Sequence, residues 1–552
     1  MATKLQALFQ TSAYDEAPVR NNEGAPAFIR SDEERLIQVL TTGTFENTFY
    51  VDAKTLSQEA TDLFKKFAKD DPKFLAQAIL HARTEGFMRV VPITALVILS
   101  TATDKSYFRT IFPQVIQTPG DLQDFLTIIR TGKFRGMGKV VQKAVQDWLN
   151  NLSEYHVIKY GSESQTMSLR DMFRLARPTP VTEQQKSVAA YVVKGECDAR
   201  TSQIDAYERF KTLAKEAPAQ ALKLVEQYKL PWEVVTSQVS GQDAWRALVK
   251  TLPYMALLRN LNNLLKYDAL TVENLAYVTS VLSDPNRVAK SKQLPFRFYS
   301  ALKAIADPPG YKRSQAQNTT APYSAGFALA AALEDALNLS VANMPTLGGR
   351  VLVANDISGS MDSAPSAKSD MTMREIAGIF GAALFKKSES AEVVSFNETI
   401  VPRVLKRSDP LAVLAQQIGQ GTGGTNLSAP VEYMLDRRHE QQWDTFIAIT
   451  DNESWYDHLM SGRPGFSTFS LRSGTPQRVG GVMDRIQEYR KNVNPNLQCF
   501  FIQLQPYQTA QVRQDEPGVY YLYGWGGNVL PFIASIANGG QTQVEHVRSL
   551  EV

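Results

Sequence analysis

Cysteine is almost missing from this chain: Cys197 and Cys499 are the only two in 552 residues. Two thiols so far apart exclude a disulfide framework and any cysteine-rich zinc site, and they suit a reducing compartment. Histidine is as sparse. His81, His156, His439, His458 and His546 form no HExxH motif and no paired spacing, so the usual zinc-hydrolase signatures are absent. No stretch approaches the ~18 uninterrupted apolar residues of a membrane span. Met1-Ala-Thr-Lys-Leu5 has no basic-then-apolar leader pattern, and a cytoplasmic location is expected. Net charge is only +3, so any nucleic-acid surface has to be a local patch. A Gly-x-x-x-x-Gly-Lys-[Ser/Thr] loop, a nucleophile with a placed base and a two-metal acid cluster are all lacking, which argues against an enzyme.

What is present is a long chain of ordinary globular composition, 43% hydrophobic and 21% charged, and too long for a single core. From about Ser31 to Asp307 the apolar period is helical. Ser31-Asp-Glu-Glu34 has the pattern of a capping box ahead of Leu36, Ile37, Val39 and Leu40. Pro92 to Ala102 is nearly all apolar and belongs at the centre of its layer. Val141, Val145, Trp148, Leu149 and Leu152 make another stripe, and Ser168-Leu-Arg-Asp171 opens a further helix. Pro253 should break or kink the run from Gln242 to Tyr267. Short helices between short polar breaks predict stacked helical hairpins, an architecture that exposes long surfaces to partners. No strict sequence period accompanies them.

Tyr311–Pro322 is polar and reads as a loop, followed by a helix over Ala325–Leu339. The pattern then changes. Strands near Val351–Ala354, Ala391–Phe396, Thr445–Thr450, Gln498–Leu504 and Val519–Tyr523 alternate with helices near Thr372–Lys387, Pro410–Ile418, Ala429–Arg438, Arg478–Arg490 and Val529–Asn538. Such alternation predicts a parallel sheet covered on both faces, with ligands at the carboxyl ends of the strands. We therefore divide the chain into a helical domain over 1–345 and an α/β domain over 346–552.

Two strand ends in the second part carry oxygen-rich motifs. Arg350-Val-Leu-Val-Ala-Asn355 runs into Asp356-Ile-Ser-Gly-Ser360, and Ile447-Ala-Ile-Thr450 runs into Asp451. Between them, Gly423-Gly-Thr-Asn-Leu-Ser428 offers Thr425 on a glycine-rich loop. Alone, Asp-x-Ser-x-Ser is often a turn whose side-chain oxygens bond the backbone. The ordered trio resembles the metal-ion-dependent adhesion site of the von Willebrand factor A domain. That resemblance implies that Asp356, Ser358, Ser360, Thr425 and Asp451 hold a divalent cation, some of them through water. Mg²⁺ suits such hard oxygen donors best, with Mn²⁺ or Ca²⁺ as alternatives. In related A domains a partner's carboxylate completes the shell. Asp362 and Glu453 lie near the motifs in sequence, and Ser454–Gly474 reads as a loop over the site.

The helical part carries the clearest basic patch. Arg130-Thr-Gly-Lys-Phe-Arg-Gly-Met-Gly-Lys-Val-Val-Gln-Lys143 holds five cations and no acid. Its glycines allow close approach to phosphate, and Lys139 and Lys143 share one helix face. Arg170, Arg174 and Arg177 recur at helical spacing. Phe134 and Met137 are placed to pack against a base.

Several segments give this part a family resemblance. Gly132-Lys-Phe-Arg-Gly-Met-Gly-Lys139 with Ala144-Val-Gln-Asp-Trp148, Ser168-Leu-Arg-Asp-Met-Phe-Arg-Leu-Ala-Arg-Pro178, Leu230-Pro-Trp-Glu-Val-Val235 and Ala256-Leu-Leu-Arg-Asn-Leu261 resemble the TROVE domain of the Ro autoantigen family. Thr450-Asp-Asn-Glu453 resembles that family's A domain. The likeness runs from about Asn21 to the end, and the chain is similar to bacterial members. It implies a mostly α ring of HEAT-like repeats joined to a Rossmann-like α/β von Willebrand factor A domain. It further implies binding of small noncoding Y RNAs on the basic outer surface and of single-stranded 3′ ends of misfolded or immature RNAs in the central hole. Action in RNA quality control and decay beside an exoribonuclease of the polynucleotide phosphorylase type is implied too. On this likeness the RNA-binding residues are Lys133, Arg135, Lys139, Lys143, Arg170 and Arg174. A monomer is expected, with no membrane or DNA partner. Leu169 departs from the family, which often has His there. The competing reading is a metal-dependent protein scaffold with no direct RNA role.

Overall fold

A computed structural model describes residues 19–22, 26–43, 45–48, 50–132, 137–161, 167–197, 201–239, 241–293, 295–306, 321–341, 346–364, 369, 371–451, 453–454, 481–513, 515–524, 529–537 and 539–552. By contact these fall into two units. One lies within Phe64–Thr84, Met88–Ser340 and Glu551–Val552; the other lies within Met1–Leu63, Glu85–Phe87 and Val341–Leu550. The units therefore do not follow a single cut in the chain: residues 19–63 group with the second unit.

The first unit is helical. Pro72–Thr84 (α1) is followed by Val90–Leu99 (α2), Ser106–Val115 (α3), Pro119–Thr131 (α4), Lys139–Asn150 (α5), Glu154–Tyr160 (α6), Leu169–Ala176 (α7) and Glu183–Lys194 (α8). The odd helices pack in the order α1-α3-α5-α7 and the even ones in the order α2-α4-α6-α8. The result is two layers in which each helix meets its near neighbours in sequence, as in a solenoid. Further helices continue the unit to Ala321–Ser340, which packs on Pro295–Ala306. Local chemistry sets the breaks. Ser168 and Asp171 form a complete capping box at the start of α7. The expected break at Pro253 is present, with Gln242–Leu248 ending before it and Tyr254–Lys266 starting after it. Phe108, Phe112 and Phe125 form an aromatic knot between α3 and α4, with centroids 5.3 Å apart for Phe108–Phe112 and for Phe112–Phe125.

The second unit holds a six-stranded sheet. Its strands are Leu347–Asp356 (β1), Ser388–Phe396 (β2), Ile400–Pro402 (β3), Thr445–Thr450 (β4), Gln498–Gln503 (β5) and Val519–Tyr523 (β6). The spatial order is β3-β2-β1-β4-β5-β6, parallel throughout except for the edge strand β3. Both faces are covered, which is why β4 (Thr-Phe-Ile-Ala-Ile-Thr) is buried at every position and does not alternate. Helices Met373–Lys387, Leu411–Ile418, Ala429–Asp436, Val482–Asn492 and Val529–Ala537 lie where the pattern predicts them.

Two features of this unit were not visible in the pattern. Residues Val19–Arg20 pair with Pro26–Ile29, which pair with Thr509–Ala510 in a small antiparallel sheet. The helix Asp32–Thr42 follows, and Gln38 Nε2 donates to Gln503 Oε1 (3.1 Å) and Gln505 O (2.8 Å) at the end of β5. Arg30 is 2% exposed, donates to Thr509 O (2.6 Å) and lies over the rings of Tyr521 and Tyr523. A buried cation held by two aromatic faces and a carbonyl anchors this N-terminal stretch.

Candidate functional site

The five oxygen-bearing residues of the second unit all lie at or beside the carboxyl ends of β1 and β4, the central parallel pair. Asp356, Ser358, Ser360, Thr425 and Asp451 are each at most 3% exposed. Four direct links assemble them. Ser358 N donates to Asp356 Oδ1 (2.8 Å), closing the turn after β1, and the Ser358 and Ser360 hydroxyls lie 3.1 Å apart. Gly359 N donates to Gly423 O (2.9 Å), bringing the glycine-rich loop onto that turn. Thr450 Oγ1 donates to Asp356 Oδ2 (2.6 Å), tying the ends of the two strands.

The loop needs its glycines. Gly421 has φ +130° and Gly423 φ +145°, conformations that residues with a Cβ rarely adopt. A side chain at 421 would run into Ile357, and one at 423 would lie 2.9 Å from Asn397 Nδ2. Arg374 braces the same region, bonding both Gly421 O and Asp362. Asp362 is thereby assigned to an ion pair.

Burial pushes the Asp356 carboxyl up, against the pull of the Ser358 and Thr450 bonds and the charge of Arg374. Glu453 is pushed up to about 8 by burial and by the charge of Asp451, with bonds from Asn22 pulling it back. The buried carboxyls of Asp356, Asp451 and Glu453 are costly to ionise without compensating charge. Two of them with three hydroxyls form an all-oxygen donor set, which is chemically suited to a hard divalent cation. Of the expected covering stretch Ser454–Gly474, only Ser454 is among the described residues. It is fully buried, and its hydroxyl donates to Thr425 O (3.1 Å). Asn21 Nδ2 donates to Ser454 O and Asn22 to both oxygens of Glu453. Thr450, Ser454 and Asn22 carry no signal of these roles in sequence, because their positions depend on strand pairing and chain return.

In the helical unit, α5 buries Val141, Val145 and Leu149 and exposes Lys139 and Lys143. On α7, Leu169, Met172, Phe173 and Ala176 are buried while Arg170 and Arg174 are exposed. A glutamine stripe joins the two helices: Gln142 Nε2 donates to Ala176 O (3.3 Å), and Gln146 Nε2 to Ala176 O (2.8 Å) and Arg177 O (3.1 Å). Lys143 is in an ion pair with Asp147, whereas Lys139 has none among the described residues. Lys133 and Arg135, with Phe134, lie outside the described residues. Leu169 is 3% exposed, so its side chain belongs to the core and makes no surface contact.

Comparison with known proteins agrees with this architecture. Residues 31–230 and 228–325 match the TROVE domain, and residues 350–462 match the Ro60 vWA domain. The chain is 27% identical over 468 residues to the "RNA-binding protein RO60" of Deinococcus radiodurans, covering 81% of this chain and 85% of that one. It is 21% identical over 536 residues to the "RNA-binding protein RO60" of Caenorhabditis elegans, covering 81% and 82%. The crystal structure of the Deinococcus radiodurans RO (RSR) protein shares the fold, with a TM-score of 0.64 at 21% identity over 93% of this chain and 100% of that one. With its TROVE match running from residue 31 to 325 and a Ro-type A domain after it, this chain belongs to the Ro family.

Proposed function

We propose that this protein binds RNA through the exposed cationic face of α5 and α7. The observation that carries the reading is the set Lys139, Lys143, Arg170 and Arg174 on two adjacent helices held side by side by Gln142 and Gln146. The names of its relatives point the same way. Phosphate contacts supply affinity by releasing counterions, and arginine's planar fork suits them. Arg170 and Arg174 are therefore ranked above the lysines. Readout is of shape and of accessible single strands, since the deep groove of an RNA duplex does not admit side chains. The ligands we propose are small noncoding Y RNAs and the single-stranded 3′ ends of misfolded or immature RNAs. In this reading the protein is cytoplasmic and monomeric, and it acts in RNA quality control beside an exoribonuclease of the polynucleotide phosphorylase type.

The A domain is proposed to hold one divalent cation, Mg²⁺ with Mn²⁺ or Ca²⁺ as alternatives, through Asp356, Ser358, Ser360, Thr425 and Asp451. The cation would supply a Lewis-acidic point of attachment for a carboxylate of a protein partner. No RNA hydrolysis is expected, and identical RNA stability with wild-type protein and with Asp356→Ala would agree.

The test is a salt-titrated binding assay with a small structured RNA bearing a free 3′ tail, compared with the tailless RNA and with an Arg170→Glu/Arg174→Glu variant. Tight, salt-sensitive binding lost in the variant supports the reading. Weak binding that ignores the variant rejects it and favours a metal-dependent protein scaffold.

A further inference from the structure

A groove of about 890 Å³ opens between α3, α5 and the start of α6, entirely within the helical unit. Its size falls in the roughly 300–1,000 Å³ range of small-ligand sites. Trp148 contributes aromatic surface, backed by the fully buried Phe112, and Arg109, Lys139 and Lys143 stand around it with His156 at one end. Three fixed cations face a single carboxylate, that of Asp147. Arg109 on α3 is not part of the basic run in the sequence. The packing of α3 on α5 adds it to the same face.

The rings are held before any ligand arrives. Trp148 Nε1 donates to Ile116 O (2.7 Å), which fixes the indole while leaving it only half-buried. His156 Nδ1 lies 2.9 Å from Ser153 Oγ. Phe112 is locked into the knot with Phe108 and Phe125. A rigid aromatic floor beneath a cationic rim is what an unpaired nucleotide requires: base stacking on a π face, with phosphate contacts alongside. A purely apolar groove would suit a hydrophobic peptide, but the charge around this one does not.

We infer that this groove takes the flipped-out or single-stranded base of a bound RNA, with Trp148 as the stacking platform and Arg109 and Lys139 on the flanking phosphates. The inference rests on the RNA-binding reading and deepens it: the cationic face does not only track a backbone but has one pocket for a base. Sequence preference at that base is expected to be weak, because every base presents a π face.

The test uses the full-length protein and a short single-stranded oligouridylate carrying one 5-iodouridine, with a matched oligonucleotide holding abasic sites. Photo-cross-linking of the wild type is expected on the peptide containing Trp148. Abasic substitution is expected to weaken binding by about 5- to 150-fold, the range for losing one base–aromatic stack. Ala144→Phe, which fills the groove without removing a cation, should abolish the difference between intact and abasic RNA and keep the salt-sensitive component. Salt-sensitive binding with cross-links only elsewhere, and equal affinity for abasic RNA, overturns the groove while leaving the RNA-binding reading intact. Absence of any RNA binding overturns both. Should Ala144→Phe fail to fold, as judged by circular dichroism, the cross-link map and the abasic comparison on wild-type protein still decide.

Discussion

Thr450 Oγ1 donates a 2.6 Å hydrogen bond to Asp356 Oδ2, while Ser358 N occupies Asp356 Oδ1 at 2.8 Å. Both oxygens of the central carboxylate are thus oriented by neighbours that are not themselves charged. Asp356→Ala should abolish Mg²⁺ or Mn²⁺ binding in calorimetry. Thr450→Val should weaken it by roughly 10- to 100-fold, the usual cost of removing a group that orients a metal ligand. Cation binding that persists in Asp356→Ala would reject the assignment.

Gly421 combines φ +130° with a position where an added Cβ would run into the Ile357 side chain. Gly421→Ala should cost about 1–3 kcal/mol in urea unfolding through backbone strain. It should also lower cation affinity, because the same loop carries Thr425. An unchanged unfolding midpoint would mean that the loop can be re-formed without that glycine.

Arg170 and Arg174 are exposed on α7, and Arg170 Nε donates to Val192 O of α8 (3.3 Å). Each phosphate contact removed by charge reversal should reduce the slope of log K against log salt by roughly 0.7–0.9. A pair of reversals that lowers affinity without changing the slope would point to misfolding as its cause.

Leu169 presents the opposite case. It is 3% exposed, beside the exposed Arg170. Leu169→His should therefore destabilise the helical unit by about 1–3 kcal/mol, the cost of an unsatisfied buried polar group. It should not improve RNA affinity. A stable variant with tighter binding would show that the imidazole reaches the surface.

Glu34 ties the N-terminal helix of the second unit to pH. Burial pushes its carboxyl up to about 7, with Glu33 adding to the effect and Arg30 and Tyr523 opposing it. The folded chain then holds a proton that the unfolded chain releases near the ordinary glutamate value of 4.5. Stability should fall as pH rises through that interval, by up to about 1.4 kcal/mol per unit, and level off above the folded value. Glu34→Gln should match the wild type at pH 5 and melt higher at pH 8. A variant that melts lower at pH 8 would mean the ionised carboxylate is held by Arg30.

The helices and parallel strands were legible because periodicity reports burial: α5 exposes Lys139 and Lys143 at four-residue spacing, and β4 is apolar where both sheet faces are covered. The edge strand β3 and the two-residue strands Val19–Arg20 and Thr509–Ala510 were not, since segments so short have no period to read.

By itself the sequence determined the residue types available for chemistry and their order: Asp356, Ser358 and Ser360 on one strand end, Thr425 on a loop, Asp451 on another, and cations on α5 and α7. Spacing along a helix or strand settles such local matters. Tertiary structure alone decided which distant residues meet. It set Thr450 against Asp356, Asn22 against Glu453, Gln146 against Ala176, and Arg109 beside Trp148. The physical reason is that strand register, helix packing and the return of the chain depend on contacts 30 to 431 residues apart, for which no local pattern carries a signal.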